Sequence, residues 1–193
     1  TTLFRSKNVD LKNNRKNTWG TGLIFNHEID SIQNVTVAAG FTRQISENAN
    51  KTAYYSNAYA LGLAYNFVHT TYGLDLAHKD TKNKGGAGNK VKNNEVTAVI
   101  RQGLNEDWNV YAMYSYKTEK TLPVGSAYSK STDRQFLVGT EYYVFKQGSV
   151  KVKPFIEWQA TRTKYENTFD KDSGKQLDRS RDFKTVIGLR AYW

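Results

Sequence analysis

Seven cations and four carboxylates recur at alternate positions of extended, strand-like stretches: Lys79, Arg101, Lys117, Lys151, Lys153, Lys184 and Arg190, with Asp75, Glu95, Glu141 and Glu157. Side chains of like parity in a strand share a face. Each of these eleven residues falls on the more polar face of its stretch. The chemistry they offer is electrostatic. Opposed charges across a wetted wall set up a transverse field, and an excess of cations biases that field toward anions. Covalent chemistry has little to work with. The chain has no cysteine, so it holds no thiolate nucleophile, disulfide or thiolate metal site. His27, His69 and His78 lie near strand ends without metal-ligand spacing. No serine stands in a nucleophile elbow. The run Gly85-Gly86-Ala87-Gly88 does not lead from a strand into a helix, so it lacks the setting of a phosphate loop. No catalytic residue, metal or cofactor is assigned.

A chain of 193 residues is enough for one sizeable domain. Its formal charge of +10 admits nucleic acid, an acidic membrane surface or anionic solutes as partners. The cations are spread over loops and one strand face rather than gathered in a patch, which disfavours nucleic acid. Mean hydropathy is −0.70 and no run of eighteen apolar residues occurs, so a helical membrane span is excluded. A barrel wall is not excluded, because only alternate residues need be apolar. Thr1 follows neither a methionine nor a signal segment, so the sequence is read as processed, trimmed or a fragment.

The elements that must position these charges follow from a period of two. After a polar, basic opening at 1–17, nine strands are predicted. One face of the first five carries Trp19, Leu23 and Phe25; Val35, Val37 and Phe41; Tyr59, Leu61, Leu63, Tyr65 and Phe67; Tyr72, Leu74 and Leu76; Val96, Ala98 and Ile100. The next three carry Trp108, Val110, Tyr114 and Tyr116; Phe136, Val138 and Tyr142; Val152, Pro154, Ile156 and Trp158. The last, Phe183 to Trp193, puts Phe183, Ile187, Leu189 and Trp193 on one side and Lys184, Gly188, Arg190 and Tyr192 on the other.

The connections alternate without a lapse. Short ones fall at 27–33, 68–71, 105–107 and 146–149, and long polar ones at 44–56, 80–94, 118–133 and 162–182. Transmembrane barrels keep tight turns at one end and longer loops at the other. A soluble barrel fills its interior with apolar side chains. Here the apolar face is too continuous to be left in water, while the other face is polar, and closure would satisfy the backbone in lipid. The expected fold is an all-β, antiparallel transmembrane β-barrel of outer-membrane type. Phe183, Ile187, Leu189, Tyr192 and Trp193 of the aromatic-ended final strand are assigned as its assembly signal. The lysines from Lys82 to Lys92 are candidates for contact with lipopolysaccharide phosphates by charge attraction.

Four stretches carry a family resemblance: residues 59–67 (YALGLAYNF), 109–117 (NVYAMYSYK), 136–143 (FLVGTEYY) and 186–193 (VIGLRAYW). In their order they resemble the C-terminal half of a Gram-negative general diffusion porin of the Haemophilus and Pasteurella type. The likeness spans essentially the whole chain. Trp193 departs from the family's usual final Phe but keeps an aromatic ring. The resemblance implies sixteen strands, a homotrimer in the outer membrane, and passive passage of small hydrophilic solutes without enzymatic activity. It also implies a constriction loop in an N-terminal half that is not found here, so no eyelet residue is carried over. On this reading Leu3-Phe4 ends a seventh strand; otherwise residues 1–11 form a tenth strand that closes a small barrel. Two readings compete with the porin: a small outer-membrane barrel acting in adhesion or assembly through its long loops, and a soluble antiparallel β protein.

Overall fold

The computed structural model describes residues 14–47, 53–83, 90–123, 127–148, 150–169 and 174–192. Trp193, the Leu3-Phe4 pair, the stretch 1–11 and Gly85 to Gly88 lie outside the described residues. Ten strands form one antiparallel sheet: β1 (Asn14–Asp30), β2 (Gln33–Glu47), β3 (Ala53–Phe67), β4 (Thr70–Asn83), β5 (Lys90–Gly103), β6 (Trp108–Leu122), β7 (Ser129–Tyr142), β8 (Phe145–Gln147), β9 (Val150–Glu166) and β10 (Arg179–Tyr192). The order is β1-β2-β3-β4-β5-β6-β7-β9-β10, with β8 on β9, so each long strand pairs with the next long strand in the chain. Among the described residues β1 and β10 are the two edges, and no helix occurs.

β8 is the one element the periodicity does not predict. The ladder between β7 and β9 ends at Glu141↔Phe155 and resumes between β8 and β9 at Phe145↔Val152. The β7–β8 side therefore holds one residue more than its partner, a β-bulge. A bulge breaks the alternation, so the predicted turn at 146–149 becomes a three-residue strand followed by Gly148 at φ 60°. Strand lengths differ as well. The long strands run to 14–17 residues, well past their apolar segments. The long connections shrink to 48–52, 84–89, 123–128 and 167–178. Their flanks are mostly polar, with scattered apolar residues such as Ile45, Val91 and Leu122 too few to sustain the alternation, but they still pair main chain to main chain and so count as strand. The alternation of short and long connections holds. Compact Asx-type bonding supports the short ones: the Asp30 Oδ1 accepts from the Ile32 amide, and the Asn105 Oδ1 accepts from the amides of Asp107 and Trp108.

The two faces differ in kind. Among the described residues no apolar side chain is buried, and the four buried side chains are Ser115, Thr132, Glu141 and Lys153. A sheet ordinarily hides its apolar face under another layer; among the described residues no second layer lies on this one. Its apolar face exposes Leu23, Leu61, Leu63, Ile156, Trp158 and Ile187, and aromatic rings edge this band. Toward the long connections these are Trp19, Phe41, Tyr59, Tyr116, Phe136 and Phe183; toward the short ones, Phe67, Tyr72, Trp108 and Tyr142. Neighbouring rings touch across the ladders, with Trp19–Phe41 centroids 5.2 Å apart and Phe41–Tyr59 4.9 Å apart. From Val152 to Ala160 the band measures about 26 Å along β9 at the usual rise of a strand.

Candidate functional site

The candidate site is the polar face of β5–β10, and its densest part is built around Glu141. β7 places this carboxylate beside Phe155 of β9 and Asn109 of β6. It is 4 % exposed and takes three cations. Arg101 Nη2 on β5 and Lys153 Nζ on β9 each reach Oε1 at 2.8 Å, and Arg190 Nη1 on β10 reaches Oε2 at 2.8 Å. The second guanidinium nitrogen of Arg190 bonds Glu157 Oε1 at 2.6 Å. The Tyr111 hydroxyl donates to the same oxygen at 2.6 Å. One ionised pair thus extends into a network across five strands. Such charge-assisted bonds are stronger than neutral ones.

Two glycines make this reach possible. Across the ladders Tyr111, Gly139 and Glu157 stand in one row. Tyr111 lies flat over Gly139, so its hydroxyl spans β7 to reach β9; a Cβ on Gly139 would meet the Tyr111 ring at 2.5 Å. Phe155 covers Gly188 in the same way, also at 2.5 Å. The Arg190 guanidinium carbon lies 4.1 Å from the Phe155 ring centroid, within cation–π range. Lys153, 6 % exposed, is held between the rings of Tyr143 at 5.1 Å and Tyr192 at 5.3 Å.

Of the eleven charged residues read from the sequence, Arg101, Lys153, Arg190, Glu141 and Glu157 meet in this cluster. A second group lies nearer the long connections. Glu95, Lys117 and Lys184 line a polar hollow of about 340 Å³ with Asp133 and Asp182. Ser115 donates to Glu95 Oε1 at 3.4 Å, and Lys184 pairs with Asp182 at 3.0 Å. Lys79 borders an adjoining hollow with Asn93 and Glu119. Asp75 packs against the bare backbone of Gly62, and Lys151 is exposed at the short-connection end of β9. Lys79, Lys117, Lys151 and Asp75 form no ion pair among the described residues.

The full face changes the balance read from the sequence. Glu119, Asp133 and Asp182 share its parity and register. Adding them to the four acids gives seven against eight cations over β4–β10, because Lys146 of β8 stands opposite Lys151 and shares its face; Lys146 itself pairs with Asp107 of the neighbouring turn. The signs are segregated along the strands: the Glu141 cluster and Lys151 leave the short-connection end positive, and the added acids leave the other end negative. Those acids lie on stretches the periodicity read as loop, beyond the apolar band that signals a strand. Tyr111 has the parity of the polar face, but its reach to Glu157 follows from its register opposite Gly139, which only the pairing reveals. On β10, Phe183, Ile187 and Leu189 are exposed on the apolar side, whereas Tyr192 joins Lys153 on the polar side.

His27 stacks on Phe25 at 6.2 Å, and His78 contacts Asn94 Oδ1 at 2.6 Å and Asp80 Oδ2 at 3.3 Å. The β1–β3 part of the polar face carries little charge and is lined by small residues including Gly22, Gly40, Ala60 and Gly62. No protein-family model matches this chain, and no curated protein or solved structure matches it.

Proposed function

We propose that this sheet is part of the wall of an outer-membrane porin, a non-enzymatic channel through which small hydrophilic solutes and ions diffuse passively. The observation that carries the reading is the inversion of burial: among the described residues one face of a single layer is continuously apolar and exposed, no apolar side chain is buried, and the four buried ones are polar. In lipid the aromatic-edged band meets acyl chains and the polar face lines water. Taken with a barrel tilt of about 35–45°, the band gives a height of about 20 Å, near that of an outer-membrane barrel. The open edges at β1 and β10 suit a wall completed by further strands, as the likeness to sixteen-stranded, trimeric porins implies. Long strand ends and long connections then stand on the lipopolysaccharide side.

The mechanism is size exclusion with an electrostatic bias. Because cations and anions nearly balance over β4–β10, the anion preference expected from the sequence reduces to a local effect of the Glu141 cluster and its neighbours Lys146 and Lys151. Planar-bilayer recording of the protein tests both statements. Stepwise conductance is expected, with a reversal potential of anionic sign far below the ~59 mV of an ideally selective pore in a tenfold salt gradient. Absence of conductance steps from inserted protein sinks the channel; a strongly cationic potential sinks the bias.

A further inference from the structure

The apolar face carries its own charged feature, separate from the polar wall. Arg134 of β7, Arg162 of β9 and Arg181 of β10 are direct partners in successive ladders, Arg134↔Arg162 and Arg162↔Arg181. Their parity is that of Phe136, Trp158 and Phe183, so all three leave the sheet on the apolar side. They stand one step beyond the band, toward the long connections, and all are exposed. Like charges directly opposite on adjacent strands repel, with Cβ atoms only about 5 Å apart. Among the described residues nothing nearby relieves the repulsion. Lys130 and Lys164 pair with Glu166, and Arg179 with Asp178, but among the described residues none of the three arginines has a carboxylate partner. Arg134 meets only the Tyr116 ring, at 6.0 Å.

Beneath the row is a groove of about 320 Å³ whose floor is apolar: Tyr114, Phe136, Ala160 and Phe183, with the three arginines at its rim. Guanidinium groups suit phosphate, presenting paired donors to its oxygens. Three of them on one line match a phosphomonoester, which carries close to two charges and three acceptor oxygens. The apolar floor continues into the band and fits the acyl chain of the same molecule. Free phosphate could not use that floor, and a zwitterionic lipid offers no net charge. We propose that Arg134, Arg162 and Arg181 form a binding site for the phosphate of an acylated glycolipid of the lipid A type in the leaflet at the long-connection end. This rests on the outer-membrane reading above and adds a site on the barrel wall to the candidate lysines from Lys82 to Lys92.

The test is native mass spectrometry of the detergent-purified protein titrated with lipid A, phosphatidylglycerol or inorganic phosphate. The variant R134Q/R162Q/R181Q is expected to bind lipid A about a hundredfold more weakly, and R162Q alone about fivefold more weakly. The variant K79Q/K117Q/K184Q removes the same charge from the other face and is expected to bind as the parent does. Equal loss in both triple variants would show net charge alone and overturn the site. So would unchanged binding by R162Q and the arginine triple variant, equal affinity for phosphatidylglycerol, or competition by millimolar phosphate. Partition of the parent into the detergent phase of a Triton X-114 separation is scored independently. Failure there removes the membrane reading; partition with no arginine effect removes only this site.

Discussion

Replacing Glu141 by Gln keeps the shape of the side chain and removes the charge on which three cations converge. Each of its contacts with Arg101, Lys153 and Arg190 is 2.8 Å long. The two arginine side chains remain 43 % and 36 % exposed, so water screens them and their share is small. Lys153 is different: its side chain is 7 % exposed, and without the carboxylate its ammonium keeps only ring faces and an amide oxygen. Leaving a buried charge unpaired costs about 3–5 kcal/mol. Because this cluster sits on a face open to water, the expected loss for E141Q is at the lower end, about 3 kcal/mol. The assay is equilibrium unfolding in guanidinium chloride of protein folded into micelles, followed by tryptophan fluorescence. The double variant E141Q/K153M removes the stranded charge along with its partner and is expected to regain about 2 kcal/mol of the loss, a coupling that distant sites would not show. If E141Q unfolds at the parent's midpoint, or if the two substitutions simply add, the cluster does not act as a unit and the argument from Lys153 burial is wrong.

Trp158 is 57 % exposed in the middle of the apolar face. On a protein in water W158R would shift stability by no more than about 0.5 kcal/mol; in a bilayer the same change is expected to cost about 2–4 kcal/mol and lower folding yield into lipid vesicles. An unaffected yield would contradict lipid at this face. Gly139→Ala puts a methyl group 2.5 Å from the Tyr111 ring, so the ring must leave Glu157. A loss of about 1–3 kcal/mol is expected by the same unfolding assay, and most of it should vanish in a Y111A background. Persistence of the full loss there would place the strain in the backbone instead.

How far these features could be read in advance differs by element. Alternation along 59–67 assigns Tyr59, Leu61 and Leu63 to one face whatever surrounds them, because strand geometry fixes side-chain parity within four or five residues. The same local rule separates Lys153 from Trp158 and marks short connections within 27–33 and 68–71, which the structure narrows to 31–32 and 68–69. What parity leaves undetermined is partnership. Glu141 lies 40 residues from Arg101 and 49 from Arg190, and only the ladder registers bring the three to one point. The β7–β8 bulge has the same origin, since an extra residue is defined by what stands opposite it. The acids Glu119, Asp133 and Asp182 were hidden because their strands continue past the alternating apolar signal, held chiefly by main-chain pairing. Composition and spacing thus settle which phase each face prefers, a property of the side chains themselves. The pairing of strands decides which charges meet, whether they cancel, and where three arginines line up in one row, because these are relations between distant segments that no single stretch contains.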